Sequence, residues 1–350
     1  MATDRYGIGV AIATYNGSRY LPALLDSILA QTTPVAEIVV SDDASKDDTV
    51  AIVERYAQES AVPIRLVRHE RNLGVVGNFR AAFAATTAPL IAYCDQDDVW
   101  LPEKVAKVTS AFRADEDVVL VSHQSEVTDA DLNPTGDVWF HHRADQRLRF
   151  PAVSFRERCL GHQIVFSRDV LETLDALYGD QVFAQSGLGE CFDLGIPMAA
   201  SLIGDLAILK APLVKFRRHG GSVSATAKSD GPAPSGIKAT LAARHDAMQG
   251  QSRQLKLALD TDCSGLGPDA ARWRSAHSRY ARLIERRCDV LGSASAFGRV
   301  TRGPGLASAI LANRNQGAWR PKHIAADAAS VLLSNPKMTA TDNKSLGREL

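Results

Sequence analysis

From Gly7 to Arg113 the apolar positions of the chain alternate between two periods. Gly7 to Thr14 (GIGVAIAT) is a near-continuous apolar run, the pattern of a strand buried on both faces. A turn follows at Tyr15-Asn16-Gly17-Ser18, and Leu21 to Leu29 then repeats its apolar residues at helical spacing. The unit recurs: Glu37 to Val40 predicts a strand that stops at Ser41-Asp42-Asp43-Ala44-Ser45, and Thr49 to Gln58 predicts a helix. Ser45 and Asp48 have the spacing of a capping box for that helix. Ile64 to Val67 and Asn78 to Ala85 form a third pair across the Arg71-Asn72-Leu73-Gly74 turn. Ile91 to Cys94 and Pro102 to Arg113 form a fourth, with Trp100 and Pro102 expected to open the helix. Strands alternating with helices imply an α/β fold with a parallel sheet and right-handed crossovers. The strand ends at 14–18, 41–45 and 95–98 should then share the carboxyl edge, where such sheets bind ligands.

Further along, Val118 to Ser122 predicts another strand. Residues 129–160 are polar and irregular, a length that points to a functional loop or an excursion. Trp139, His141 and His142 lie inside it; adjacent histidines rarely face the same way, which places this pair on the surface. Gly161 to Phe166 predicts a returning strand, Arg168 opens a helix, and Phe192-Asp193 opens a largely apolar one reaching about Ile203. Leu206 to Leu209 predicts a strand, after which Pro212 leads to Lys215-Phe216-Arg217-Arg218-His219. Pro, Gly and Ser then mark a linker, so the expected layout is a domain at 1–225, a linker at 226–236 and a helical region at 237–350. Arg272, Arg274, Arg279, Arg282, Arg286 and Arg287 load that region with positive charge, either a solvated helix face or a dock for an anionic membrane surface.

Composition narrows the class. The chain has 350 residues, 45% hydrophobic and 23% charged, the balance of a soluble globular protein. Lys+Arg and Asp+Glu both total 40, which gives no support to a nucleic-acid partner. The five cysteines are scattered and lack C-x-x-C spacing, so reduced thiols in a cytoplasmic protein are expected rather than disulfides or zinc. No signal-peptide pattern opens the chain, and no apolar run approaches the ~20 residues of a membrane span.

The chemistry concentrates at Cys94-Asp95-Gln96-Asp97-Asp98-Val99-Trp100. Carboxylates this close repel one another unless a cation lies between them, and a hard divalent ion, Mn2+ or Mg2+, shared with substrate phosphates meets that need. An acidic turn that only caps the next helix is the rival explanation. A P-loop and a G-x-G-x-x-G after the first strand are both absent, so bound phosphates would depend on a metal held by Asp95 and Asp97. That argues against hydride transfer.

Taken jointly, Ala13-Thr14-Tyr15-Asn16-Gly17, Asp42-Asp43-Ala44-Ser45, Asn72-Leu73-Gly74-Val75 and the acidic stretch with Pro102 and Lys104 resemble family 2 glycosyltransferases of the GT-A fold, in particular bacterial rhamnosyltransferase-like members. The resemblance covers about residues 7–225. It implies a GT-A-type nucleotide-binding domain with a mostly parallel central sheet. It also implies that Thr14, Tyr15 and Asn16 lie at the nucleoside, Tyr15 stacking on the base. Asp43 would accept from a uracil or thymine ring NH, Asn72 would sit near the nucleotide, Asp95 would bind ribose and Asp97 the metal. Phe216-Arg217-Arg218-His219 resembles the family's Y-R-x-H element, so His219 would complete the metal shell, while Phe216 lacks the usual hydroxyl. Asp98 would stand as a carboxylate behind the metal ligands or cap the following helix, the cap being the favoured role. Asp193 stands where the family's acceptor-activating carboxylate is found, with Glu190 as a rival base.

The activity so implied is inverting transfer of rhamnose or another hexose from a UDP- or dTDP-sugar. The acceptor would be a saccharide or lipid-linked oligosaccharide, in cell-surface polysaccharide assembly at the cytoplasmic membrane face. The helical C-terminal region suits either peripheral membrane contact or a homodimer. Two rivals stand beside this reading: a non-catalytic nucleotide-sugar-binding scaffold, and a sugar-1-phosphate nucleotidyltransferase, whose Gly- and Arg-rich loop the first strand end lacks.

Overall fold

The computed structural model describes residues 4–139, 142–148, 161–178 and 191–220, with a few helical positions between 259 and 278; for Cys191, Asp193 and Leu194 it describes the backbone alone. The expected linker and nearly all of the expected C-terminal region, its arginine-rich stretch apart from Arg274 included, lie outside the described residues, as do His141 and Glu190. The described residues up to 220 belong to one compact unit.

Four strands form the parallel half of this unit: β1 (Ile8–Thr14), β2 (Glu37–Asp42), β3 (Ile64–Arg68) and β4 (Leu90–Asp95), in the order β3-β2-β1-β4. Their crossovers are α1 (Leu21–Leu29), α2 (Thr49–Glu59) and α3 (Gly74–Ala85). β1 is the central strand and is buried along nearly its whole length, which is why it reads as a continuous apolar run. α1 buries Leu21, Leu24, Leu25 and Ile28, one stripe at helical spacing, against a core that includes Val10, Ile12, Ile38 and Val40. Each such side chain contributes about 1.5–3 kcal/mol by leaving water. Register brings the strand ends level: Thr14 pairs with Asp42, and Ala13 with Asp95.

Beyond β4 the sheet departs from the simple alternation. After Asp95 the chain forms a two-residue strand β5 (Val99–Trp100), antiparallel to a later strand, before α4 (Lys104–Ala114). Trp100 therefore does not open the helix. Its position is set by the non-local pairing of β5, with its own N–H donating to Ser27 Oγ. β6 (Val118–Thr128) runs well past the expected Ser122, and β7 (Pro134–Trp139) and β8 (Gln146–Leu148) lie within the stretch expected to be irregular. Both are flanking antiparallel strands, β7 on β6 and β8 on the last strand, and the mostly exposed side chains of β7 hide it from a pattern search.

A short 3₁₀ turn (Gly161–Gln163) leads into β9 (Ile164–Ser167), which inserts antiparallel between β4 and β6. α5 (Arg168–Tyr178) and α6 (Cys191–Ile203) follow, and β10 (Asp205–Arg217) closes the unit, parallel to β6. β10 does not stop before Pro212, because register shifts on either side of it absorb a residue that has no N–H to donate. β6 and β10 run in the direction of β4, so their carboxyl ends reach the edge that carries Asp95. The central sheet is mixed with its strands mostly parallel. Among the described residues no helix is long and apolar enough to cross a membrane.

Candidate active site

Three strand ends meet at the carboxyl edge and are tied together by side-chain bonds. Gln96 joins β4 to β1: its Oε1 accepts the Tyr15 N–H at 3.0 Å and its Nε2 donates to the Tyr15 carbonyl at 3.3 Å. Gly17 makes room for this, since a Cβ there would lie 2.2 Å from Gln96 Oε1. The Tyr15 side chain is left half exposed at the rim. Asn16 turns the chain with φ 49°, a conformation Asn tolerates; its N–H donates to Ser45 Oγ and its Oδ1 accepts the Lys46 N–H. Thr14 is fully buried, its hydroxyl 3.1 Å from Asp42 Oδ1.

Ser45 spends its hydroxyl on Asp42 rather than on α2. The expected capping box is therefore not formed: Asp48 occupies the N-cap with no side-chain bond, and Asp47 accepts the Thr49 N–H instead. Asp43 is buried and holds the start of α3, accepting the Leu73 N–H at 2.6 Å and the Gly74 N–H at 3.0 Å. Asn72 lies beside it, its Oδ1 accepting the same Gly74 N–H.

The acidic stretch is divided by the strands around it. Asp97 Oδ2 lies 2.8 Å from His219 Nε2, so β10 delivers His219 to the residue with which the sequence paired it. Tyr20 packs against His219 and its neighbour Arg217, 4.4 Å from the His219 ring and 4.6 Å from the Arg217 guanidinium. Arg217 also donates from Nε to the Asp97 carbonyl at 2.8 Å and from its backbone N–H to Asp98 Oδ1 at 3.1 Å.

Asp98 is not a helix cap. It is fully buried, α4 begins six positions later at Lys104, and Glu103 occupies that N-cap. Among the described residues its Oδ2 is buried with no hydrogen-bond partner. His162, expected only as part of a returning strand, has its Nδ1 3.6 Å from Asp95 Oδ2 and 3.8 Å from Asp98 Oδ2. Asp95, Asp98 and His162 can each offer one ligand atom within 4.8 Å of the others.

Charge in this cluster is poorly compensated. Burial, then the charges of Asp97 and Asp95, push the Asp98 carboxyl well above its ordinary value, and the Arg217 N–H and Lys104 offset only part of this. Burial and the Asp95 charge also raise Asp97, against the pull of His219. Lys104 lies beneath: its Nζ donates to the His162 carbonyl at 3.1 Å and sits 3.9 Å above the Trp100 ring, and burial brings its pKa down to about 8. Buried carboxylates without enough positive charge, one of them with an orphaned oxygen, form a donor set that fits a divalent cation.

His142, expected at the surface, is buried; Gln124 donates to its carbonyl, and its Nδ1 lies 3.4 Å from Gln146 Nε2. Asp193 falls in the first turn of α6. The neighbouring Phe192 packs edge-on to Phe83 and Tyr93, which fixes that turn against α3 and β4. Signals for His162 are absent from its local sequence, because only the insertion of β9 beside β4 brings it to Asp95.

Residues 9–174 match the family model described as glycosyl transferase family 2. This domain belongs to glycosyltransferase family 2. An uncharacterized glycosyltransferase of Nostoc sp. is 27% identical over 259 residues, 67% of this chain and 73% of that one. The Escherichia coli UDP-Glc:alpha-D-GlcNAc-diphosphoundecaprenol beta-1,3-glucosyltransferase WfgD is 29% identical over 102 residues, 29% of this chain and 39% of that enzyme. The chain spans less than two thirds of the length of most of these curated relatives. Among solved structures, S. aureus TarS 1–349 in complex with UDP-GlcNAc superposes with a TM-score of 0.56 at 16% identity, covering 90% of this chain and 93% of that one. The family 2 domain thus has the GT-A fold.

Proposed function

We propose that the family 2 domain transfers a hexose, rhamnose among the candidates, from a UDP- or dTDP-linked donor to a saccharide or lipid-linked oligosaccharide in surface-polysaccharide assembly. The observation that carries this is the convergence at one sheet edge of the Tyr15 rim, the Asp43–Asn72 turn and the Asp95–Asp98 cluster. The donor class is supported by the UDP-GlcNAc complex of TarS and by the uridine donor in the name of WfgD. In this reading Tyr15 stacks on the base, Asn16, Asp43 and Asn72 shape the nucleoside pocket, and buried Thr14 supports it from below. Asp95 faces the ribose and the diphosphate.

A divalent cation, Mn2+ or Mg2+, would be held by the acidic cluster with histidine help, from Asp97 and His219 or from their neighbours. When bound it supplies Lewis-acid compensation for the departing diphosphate. Asp193 takes the proton from the acceptor hydroxyl as the latter attacks the anomeric carbon from the face opposite the nucleotide, giving inversion. Bond making and breaking share one oxocarbenium-like transition state, so no side chain needs to form a covalent link. The domain would work in the cytoplasm, at the membrane face or away from it.

A thermal-shift panel of UDP, dTDP and their sugars, each with Mn2+, Mg2+ or EDTA, tests the donor site. A ligand that binds only the native state raises the apparent Tm by mass action. Stabilisation by a uridine or thymidine diphosphate is expected, and a flat panel would end this reading.

A further inference from the structure

We propose that Lys104 is a positioning residue of the transfer reaction: its buried ammonium, held on the Trp100 ring and the His162 carbonyl, fixes the acidic stretch after β4 in its working geometry from below. The proposal rests on the nucleotide-sugar reading of that sheet edge and adds to it a residue that touches no substrate. Three observations carry it. The first is where the ammonium lies. Lys104 opens α4, a place from which a long charged side chain ordinarily reaches water, yet it is 1% exposed. Its Nζ turns inward instead, 3.9 Å above the Trp100 ring and 3.1 Å from the His162 carbonyl oxygen. Among the described residues no carboxylate pairs with it directly; Asp98 and Asp95 act on it from further off. Burying an ammonium in this way is costly, and the fold alone gains little from the charge.

The second observation is that the same helix start is already anchored by a neutral group. Gln31, just past α1, donates from Nε2 to the Leu101 carbonyl at 2.9 Å, and its Oε1 accepts the Val105 N–H at 3.1 Å. An amide is therefore enough to tie α4 in place, and the Lys104 charge is left for a different role. His123 on β6 adds no second charge here, because burial and then the Lys104 ammonium keep its imidazole neutral.

The third is what the ammonium connects. Trp100 lies two positions beyond Asp98 and pairs with Val214 of β10. The His162 ring stacks on Phe216, with centroids 4.6 Å apart and planes within 5° of parallel. Arg217, the next residue of β10, donates its backbone N–H to Asp98 Oδ1 and its Nε–H to the Asp97 carbonyl. Lys104 thus holds the acidic stretch from two sides, at its downstream end through Trp100 and through His162 and Phe216 at the part of β10 that grips Asp97 and Asp98. Its charge also offsets part of the burial and repulsion that push the Asp98 carboxyl up. Groups aligned for reaction tolerate little displacement, a shift of about 1 Å costing about 10²-fold in rate.

The test compares the full chain as wild type, Lys104→Met and Lys104→Gln. Three quantities are read: the Tm without ligand, UDP and dTDP affinity in EDTA, and steady-state release of nucleoside diphosphate with Mn2+ present. The donor probes are UDP-glucose, UDP-GlcNAc and dTDP-rhamnose, with water as the acceptor. For Lys104→Met a Tm close to wild type is expected, since no direct ion pair is broken, with nucleotide affinity in EDTA kept. Its kcat should fall about 10- to 100-fold while the donor KM changes by less than about 3-fold. Lys104→Gln keeps an N–H for the His162 carbonyl but not the charge, so its kcat should recover in part and stay below wild type. A Tm that collapses in both variants, or a kcat that survives in Lys104→Met, would return Lys104 to the scaffold and overturn the proposal. So would a Lys104→Gln enzyme as fast as wild type. A wild type that binds neither nucleotide, or releases none from its sugars, fails the donor reading itself and takes the proposal with it.

Discussion

The two edges of one sheet treat buried carboxylates in opposite ways. At the amino edge, Glu37 opens β2 and every oxygen has partners: Oε1 accepts from the Thr87 N–H, the Thr87 hydroxyl and the Ala88 N–H, and Oε2 pairs with Arg65 at 2.7 Å. Burial alone would push its carboxyl up, but these bonds and Arg65 hold it below its ordinary value. At the carboxyl edge, Asp98 is more deeply buried, has one bonded oxygen and one orphan, and is pushed well up. A carboxylate that serves the fold is satisfied by the chain itself. One that serves a ligand is left incomplete until the ligand arrives.

If the contrast holds, damage at the carboxyl edge should show in turnover, and damage at the amino edge in stability. The largest effect is expected for Asp193→Asn: turnover falls about 10²–10⁴-fold while the thermal shift with nucleotide-sugar is kept. Turnover close to wild type would instead pass the role of base to Glu190. Asp97→Ala should reduce metal-dependent kcat/KM by about 10²-fold with a Tm near wild type. A collapse in Tm without a change in kcat/KM would put Asp97 in the scaffold class.

Glu37→Gln should do the reverse, losing about 1–3 kcal/mol of stability with kcat unchanged in the folded fraction. Its pH dependence has a definite sign. The folded value lies below the ordinary 4.5, so the stabilisation is complete above that pH and is lost as pH falls through the folded value. Denaturant midpoints of wild type and Glu37→Gln should therefore converge in acid, and a gap that stays constant would refute the clamp. The smallest effect is expected for Gly17→Ala, where the added Cβ displaces the flexible end of Gln96 from Tyr15. Nucleotide affinity should weaken by about 1 kcal/mol or less, read by titration, with little change in Tm.

Much of the parallel half was legible in the sequence. Its strands are short apolar runs buried on both faces, and α1 carries a clear stripe, so periodicity gave β1, α1 and α2 almost to the residue. The acidic stretch, the D-D-A-S turn and His219 were also legible, because each is a local motif at a strand end. Other features escaped for physical reasons. β5 is two residues long and exists through its pairing with β10, β7 is exposed, and β10 continues through a proline that a bulge accommodates. Ser45 had a choice between a helix N-terminus and Asp42, and only the turn geometry with Ala44 at φ 62° decided it.

By itself, then, the sequence determined which segments become strands and helices and which chemistry sits at each strand end, since periodicity and turn residues act over a few positions. Tertiary structure alone decided which of those groups meet. Asp98 changed from an expected cap to a buried, half-satisfied carboxylate because β10 folds over it, and His162 reached Asp95 because β9 inserts beside β4. Such encounters depend on strand order and register, which are set by packing between segments far apart in the chain, where no local pattern records them.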